Sequence, residues 1–96
     1  MHSVVRTYSG KGAKELFDFL AARQGEVEPL MRQIPGLISY SLVRTSDGGY
    51  SVSVCKDKAG TDQSIKLARD WIKENLPNTG AGAPVITEGE VIAHLK

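Results

Sequence analysis

The sequence predicts an α+β fold of the ferredoxin-like kind. The order is strand, helix, strand, strand, helix, strand (βαββαβ), with one four-stranded antiparallel sheet and two helices on one of its faces. Three observations predict it. Residues 34–57, IPGLISYSLVRTSDGGYSVSVCKD, spell a break, a strand, a tight turn and a second strand. Apolar residues recur at helical spacing on either side of that hairpin. Residues 3–45 and 50–95 are two similar strand–helix–strand halves, and right-handed crossovers put both helices on the same side.

Residues 2–8, HSVVRTY, read as the first strand, with Val4, Arg6 and Tyr8 on one face. Ser9-Gly10-Lys11-Gly12 is a flexible connection; it lacks the full glycine and Gly-Lys-Ser/Thr pattern of a phosphate loop. Over residues 13–33, Leu16, Leu20, Val27, Met31 and the following Ile34 keep the helical period, and Phe17, Phe19 and Leu30 widen the stripe. Gly25 and Pro29 interrupt it, which predicts either a kink near Gly25 or a second, shorter helix from around Glu26. Pro35-Gly36 ends the helical region.

Strands follow over residues 37–45 and 50–56, joined by the turn cluster Ser46-Asp47-Gly48-Gly49. Pairing Thr45 with Tyr50 puts Ser41, Val43, Val52 and Val54 on one face, and Tyr40, Leu42, Arg44, Ser51, Ser53 and Cys55 on the other. The valine face is the one expected beneath the helices. The Tyr40 face is then left open and, being partly apolar, needs a second subunit to cover it. The second helix, residues 61–76, is expected to start at a Thr61 or Asp62 cap. Ile65, Ala68, Ile72 and Leu76 form its stripe, with Leu67 and Trp71 beside it. Pro77-Asn78-Thr79-Gly80 ends it, and Ala81-Gly82-Ala83-Pro84 leads to a last strand over residues 85–95, where Gly89 predicts a bulge or bend.

Ninety-six residues make one domain, 1–96, which buries roughly two-thirds of its unfolded surface. Oligomerisation would widen that thin margin. A formal net charge of +1 and the lack of a basic block argue against nucleic acid or an anionic membrane as partner. The single cysteine, Cys55, excludes an internal disulfide framework and a zinc site of cysteine pairs, and fits a reducing cytoplasm. The first residues lack the apolar core of a signal peptide, and no apolar run approaches the ~20 residues of a membrane span.

Four stretches, IPGLISYSLVRT, GGYSVSVCKD, AGTDQSIKLARDWIKENLP and EGEV, make the whole chain resemble the dimeric α+β barrel superfamily. Within it, the chain is similar to the antibiotic-biosynthesis-monooxygenase-like domains. The resemblance implies two subunits that pack their open sheet faces into a barrel, each last strand reaching toward the partner. It also implies a range of activities: cofactor-free monooxygenases of polycyclic aromatics or quinols, haem degraders, and members with no known activity. The haem degraders use an asparagine on the first strand, a tryptophan, and a histidine shortly after it. Trp71 is present here, but HSVVRTY has no asparagine and no histidine lies near position 81. Haem degradation is therefore disfavoured, and no cofactor is expected.

Five side chains are candidate ligand contacts: Tyr40, Arg44, Trp71, Arg6 and Leu42. A tyrosine hydroxyl can orient a phenol or quinone oxygen, and an arginine can stabilise an enolate or bind a carboxylate. Arg6 and Tyr8 repeat that pairing on the first strand. Trp71 can wall a ligand cavity by stacking on a flat molecule, although packing is its plainer role. Cys55 has no base beside it and reads as a buried structural thiol. His2 and His94 fall on neighbouring strands, yet with Glu88 or Glu90 they match no metal motif, so no metal site is expected. No catalytic residue declares itself.

These residues support a cytoplasmic homodimer that binds a small apolar or aromatic ligand between helices and sheet. Two alternatives stand beside it. One is a cofactor-independent monooxygenase in which Tyr40, Arg44 and Trp71 position a substrate whose own carbanion meets oxygen. The other is a purely structural or interaction dimer.

Overall fold

A computed structural model of the chain describes residues 1–75 and 82–95. The elements are β1 (His2–Ser9), α1 (Ala13–Ala22), α2 (Gln24–Met31), β2 (Leu37–Thr45), β3 (Gly48–Cys55), α3 (Lys58–Asn75) and β4 (Val85–Glu90). The four strands make one sheet in the order β2-β3-β1-β4, every neighbouring pair antiparallel. This is the ferredoxin-like arrangement. Leu76 and residues 77–81, the expected end of the second long helix and the start of its linker, lie outside the described residues.

The first helical region is two helices. The chain leaves helical geometry at Arg23 (φ −112°, ψ 21°), and α2 starts at Gln24, slightly ahead of Glu26. The stripe holds across the break: Leu16, Leu20, Val27, Met31 and Ile34 are all buried. Pro29 sits inside α2 and removes a backbone donor from a helix of only eight residues.

The hairpin turn is tighter than expected. Thr45 pairs with Gly48, not Tyr50, and only Ser46-Asp47 form the turn. Gly48 and Gly49 belong to β3 because α1 and β1 press against them. A Cβ on Gly49 would meet the Phe17 ring and the Val43 carbonyl, and one on Gly48 would meet the Tyr8 carbonyl. The register differs by two residues, so the side chains keep the faces assigned to them.

Which face the helices cover is the reverse of the expectation. Val4, Arg6, Tyr8, Ser51, Ser53 and Cys55 are buried beneath the helices, with Tyr40 and Leu42 packed at the margin. Val5, Val43, Tyr50 and Val52 lie half-buried on the open face. The valines mark the face that the helices leave open. The helix side carries arginine and serine on the floor of a largely apolar internal cavity, described below.

Asp57 caps α3, its Oδ1 accepting from the Gly60 amide at 3.2 Å. Thr61 and Asp62 therefore lie within the helix. The buried positions of α3 are Gly60, Thr61, Ser64 and Ala68, and Ile65 is only half-buried. These small residues let α3 approach the sheet closely; a Cβ on Gly60 would stand 2.8 Å from the Cys55 Cβ. β4 ends at Glu90, short of Leu95, and pairs regularly through Gly89 without a bulge. Beyond it the Val91 amide donates to the Met1 carbonyl at 3.0 Å, and Ile92 and Leu95 project into solvent. Among the described residues, no helix is long and apolar enough to cross a membrane.

Candidate functional site

Strand alternation builds the floor of the site. β1 aims Arg6 and Tyr8 at the helices. β3 sets Ser51 opposite Arg6, and β2 sets Leu42 opposite Ser51 and Tyr40 opposite Ser53. The helices supply the roof: Phe17 and Leu20 from α1, Val27, Leu30 and Met31 from α2, Ala68, Trp71 and Ile72 from α3. Between floor and roof is a cavity of about 20 Å³, room for about one water molecule.

Beside the cavity, α2 and the edge strand β2 flank an open groove of about 660 Å³. Gln24, Glu28 and Arg32 border it on the helix, and Leu37, Ile38 and Ser39 on the strand. Val27, Met31, Tyr40 and Leu42 line both spaces and form the partition between them. The groove is within the size range of small-molecule sites.

The polar floor is short of partners. Arg6 is 3% exposed, and among the described residues no carboxylate lies within ion-pair reach of it. Its Nη1 donates to the Tyr8 hydroxyl at 3.4 Å, a long contact, and its Nε has no partner among the described residues. Among the described residues the buried Ser51 and Ser53 hydroxyls make no well-formed hydrogen bond, although the Ser51 hydroxyl comes close to that of Tyr40. Burial pushes the pKa of both Tyr8 and Tyr40 above the ordinary value; the Arg6 charge partly opposes this at both, and at Tyr40 the nearby Arg6 and Ser51 side chains oppose it further. Both phenols are therefore neutral at physiological pH. The arrangement can receive an anionic oxygen and offer it hydrogen bonds. Among the described residues, no histidine or carboxylate lines the cavity to act as a base.

Four of the five candidate contacts, Arg6, Tyr40, Leu42 and Trp71, border this one cavity. Arg44 does not. It lies toward the hairpin end of β2, half-exposed, paired with Asp18 of α1 at 3.2 Å. Trp71 tilts against Phe19 with ring centroids 6.3 Å apart. Sequence reasoning passed over Ser51 as a site residue; its position between Arg6 and Leu42 depends on strand pairing that no local pattern encodes. The helical spacing of Val27 and Met31, which marks them as part of the apolar stripe, also places both at the partition.

The remaining titratable groups lie elsewhere. Cys55 is buried against α3, its thiol pKa raised by burial and then by Asp57. The His2 Nδ1 lies 2.8 Å from the Thr61 hydroxyl. Its Nε2 is 3.7 Å from Glu88, which also pairs with Lys58 at 3.5 Å. His94 is exposed in the tail. Among the described residues, no three His, Cys, Asp or Glu are grouped to hold a metal ion.

No protein-family model matches the chain, and no curated protein sequence matches it. Solved structures share its fold. A protein of unknown function from Nitrosomonas europaea superposes with a TM-score of 0.69 at 18% identity, over 99% of this chain and 91% of that one. The haem degrader MhuD from Mycobacterium tuberculosis, solved with two haems in its active site, gives 0.67 at 20% identity over 100% of both chains. A dimeric ferredoxin-like protein from an uncultured marine organism gives 0.63 at 14% identity, over 99% and 95%. At these identities the likeness is one of fold. At that level it bears out the ferredoxin-like fold that the resemblance implied.

Proposed function

We propose that the chain forms a homodimeric α+β barrel that binds a small apolar or aromatic ligand between its helices and its sheet. One observation carries this reading. A polar floor of Arg6, Tyr8, Tyr40 and Ser51 lies under an apolar roof, with a groove of ligand size on the other side of a thin partition. A dry core would place no arginine there. In the closed arrangement the cavity is too small for a ring system. Moving α2 away from β2 would join groove and cavity, and α2 is short and lacks the backbone donor that Pro29 removes.

The dimer reading rests on the open sheet face. Val5, Val43, Tyr50 and Val52 form an apolar surface there, and the exposed tail adds Ile92 and Leu95. A second copy packed face to face would cover the sheet, and the tails would reach across. The monooxygenase alternative keeps Tyr40 and Trp71 at the cavity but loses Arg44, and among the described residues the cavity lining holds no base. Binding is therefore the reading the geometry supports best. The purely structural dimer leaves the polar floor without a role.

Calorimetric titration with a panel of naphthalene-sized aromatics tests the binding reading. Saturable binding at one site per subunit, weakened in the cavity-filling variant Ala68→Met, is the expected result. No binding across the panel, or binding indifferent to that substitution, would overturn it.

A further inference from the structure

Resting on that reading of the cavity, we propose that its ligand is an acid. An aromatic molecule would place a carboxylate or ring oxyanion against Arg6, with the Arg6 Nε and the Ser51 hydroxyl as its donors. Arg6 is only 3% exposed and has no carboxylate partner among the described residues. A buried cation of this kind is costly unless something negative sits beside it. The neighbouring Tyr8 and Tyr40 hydroxyls stay neutral, so the floor supplies no negative charge of its own.

The atoms without a hydrogen bond belong to facing residues. Arg6 and Ser51 are directly paired residues on β1 and β3, their side chains on the same face, and among the described residues the Nε of one and the Oγ of the other have no well-formed hydrogen bond, Ser51 only approaching Tyr40. Both residues line the cavity. A guanidinium edge with a hydroxyl beside it matches the two oxygens of a carboxylate, or one ring oxyanion taking both bonds. A single water could satisfy the Nε hydrogen bond, but it would leave the charge uncompensated. The apolar part of such an acid would lie across the Val27–Met31 and Tyr40–Leu42 partition toward the groove. Glu28 and Arg32 at the groove pair with each other at 2.9 Å, so neither is a free charge competing with Arg6.

The test is calorimetric titration with 2-naphthoate and its uncharged analogue 2-naphthamide, matched in shape. Wild type should bind the acid about tenfold or more tightly than the amide, the scale of a buried charge-assisted hydrogen bond. The preference should vanish in Arg6→Met, shrink in Ser51→Ala and survive in part in Arg6→Lys. Titration with 2-naphthol below and above its own pKa reads the ring-oxyanion arm; tighter binding of the ionised form supports that arm of the proposal. Equal affinity for acid and amide in wild type overturns the acid proposal and leaves the aromatic-cavity reading standing. Failure of acid, amide and naphthol alike overturns both. The acid–amide comparison needs only the wild-type protein, so it survives any variant that fails to fold.

Discussion

Arg6 and Ser51 face each other across β1 and β3, both nearly inaccessible to solvent, and each keeps a polar atom without a well-formed hydrogen bond among the described residues. Such a pair is a stability cost held in reserve for something else. Replacing a buried, uncompensated ion with an apolar residue of similar length removes that cost. Arg6→Met is therefore expected to raise the unfolding free energy of the ligand-free protein by about 1–4 kcal/mol. Urea unfolding of wild type and variant at neutral pH measures it. A destabilised Arg6→Met would show that the guanidinium is already well satisfied in the empty protein.

Much of this architecture is legible in the chain. The turn chemistry of Asp47-Gly48, the alternation of Tyr50–Cys55 and the 3.6-residue stripe from Leu16 to Ile34 locate the hairpin and the first helical region. The choice of sheet face was not legible from the hairpin alone. Val43, Val52 and Val54 outrank Tyr40, Ser51 and Ser53 in hydrophobicity, so apolar content pointed the helices to the wrong side. The buried face is fixed instead by close approaches: Phe17 over Gly49 and α3 over Cys55 at Gly60. Those contacts join residues far apart in sequence and leave no periodic trace. The same holds for the site. Arg6 and Tyr40 drew notice as residue types, but their meeting around one cavity comes from pairing both β1 and β2 with β3.

Arg44 illustrates the converse. Its residue type suits an oxyanion, but its pairing with Asp18 is half-exposed and lies outside the cavity. An exposed ion pair of this kind contributes about 0–1 kcal/mol. Arg44→Ala is expected to change unfolding free energy within that range and to leave the acid–amide preference of the cavity intact. A loss of naphthoate binding in Arg44→Ala, with the fold retained by circular dichroism, would return Arg44 to the site.

The open sheet face yields a prediction about assembly. Val52 lies near its centre, paired with Val5 on one side and Ser41 on the other. A carboxylate there would have to be buried between two copies, twice over in a symmetric dimer, at a cost of several kcal/mol each. Val52→Asp should sediment as a monomer at micromolar concentration where wild type sediments as a dimer. In the monomer the introduced carboxylate would be solvated, so helical circular dichroism should persist. A wild-type monomer, or a dimer untouched by the substitution, would place the interface elsewhere.

The two phenols of the site give a pH signature. Burial raises the pKa of Tyr8 and of Tyr40 above the ordinary 10.0, so each folded hydroxyl keeps its proton after the unfolded one has lost it. Below pH 10.0 both states are protonated and this contribution is fully present. Above it the unfolded chain binds fewer protons than the native one, and stability falls as pH rises until the folded pKa is passed. Urea unfolding at neutral pH and at several values above 10.0 should show that fall, with a shallower slope in Tyr40→Phe than in wild type. The ultraviolet difference spectrum of tyrosinate in the folded protein should lag behind that of the urea-unfolded chain. Equal slopes in wild type and Tyr40→Phe would mean that the Tyr40 hydroxyl is solvated, and the partition between groove and cavity already open.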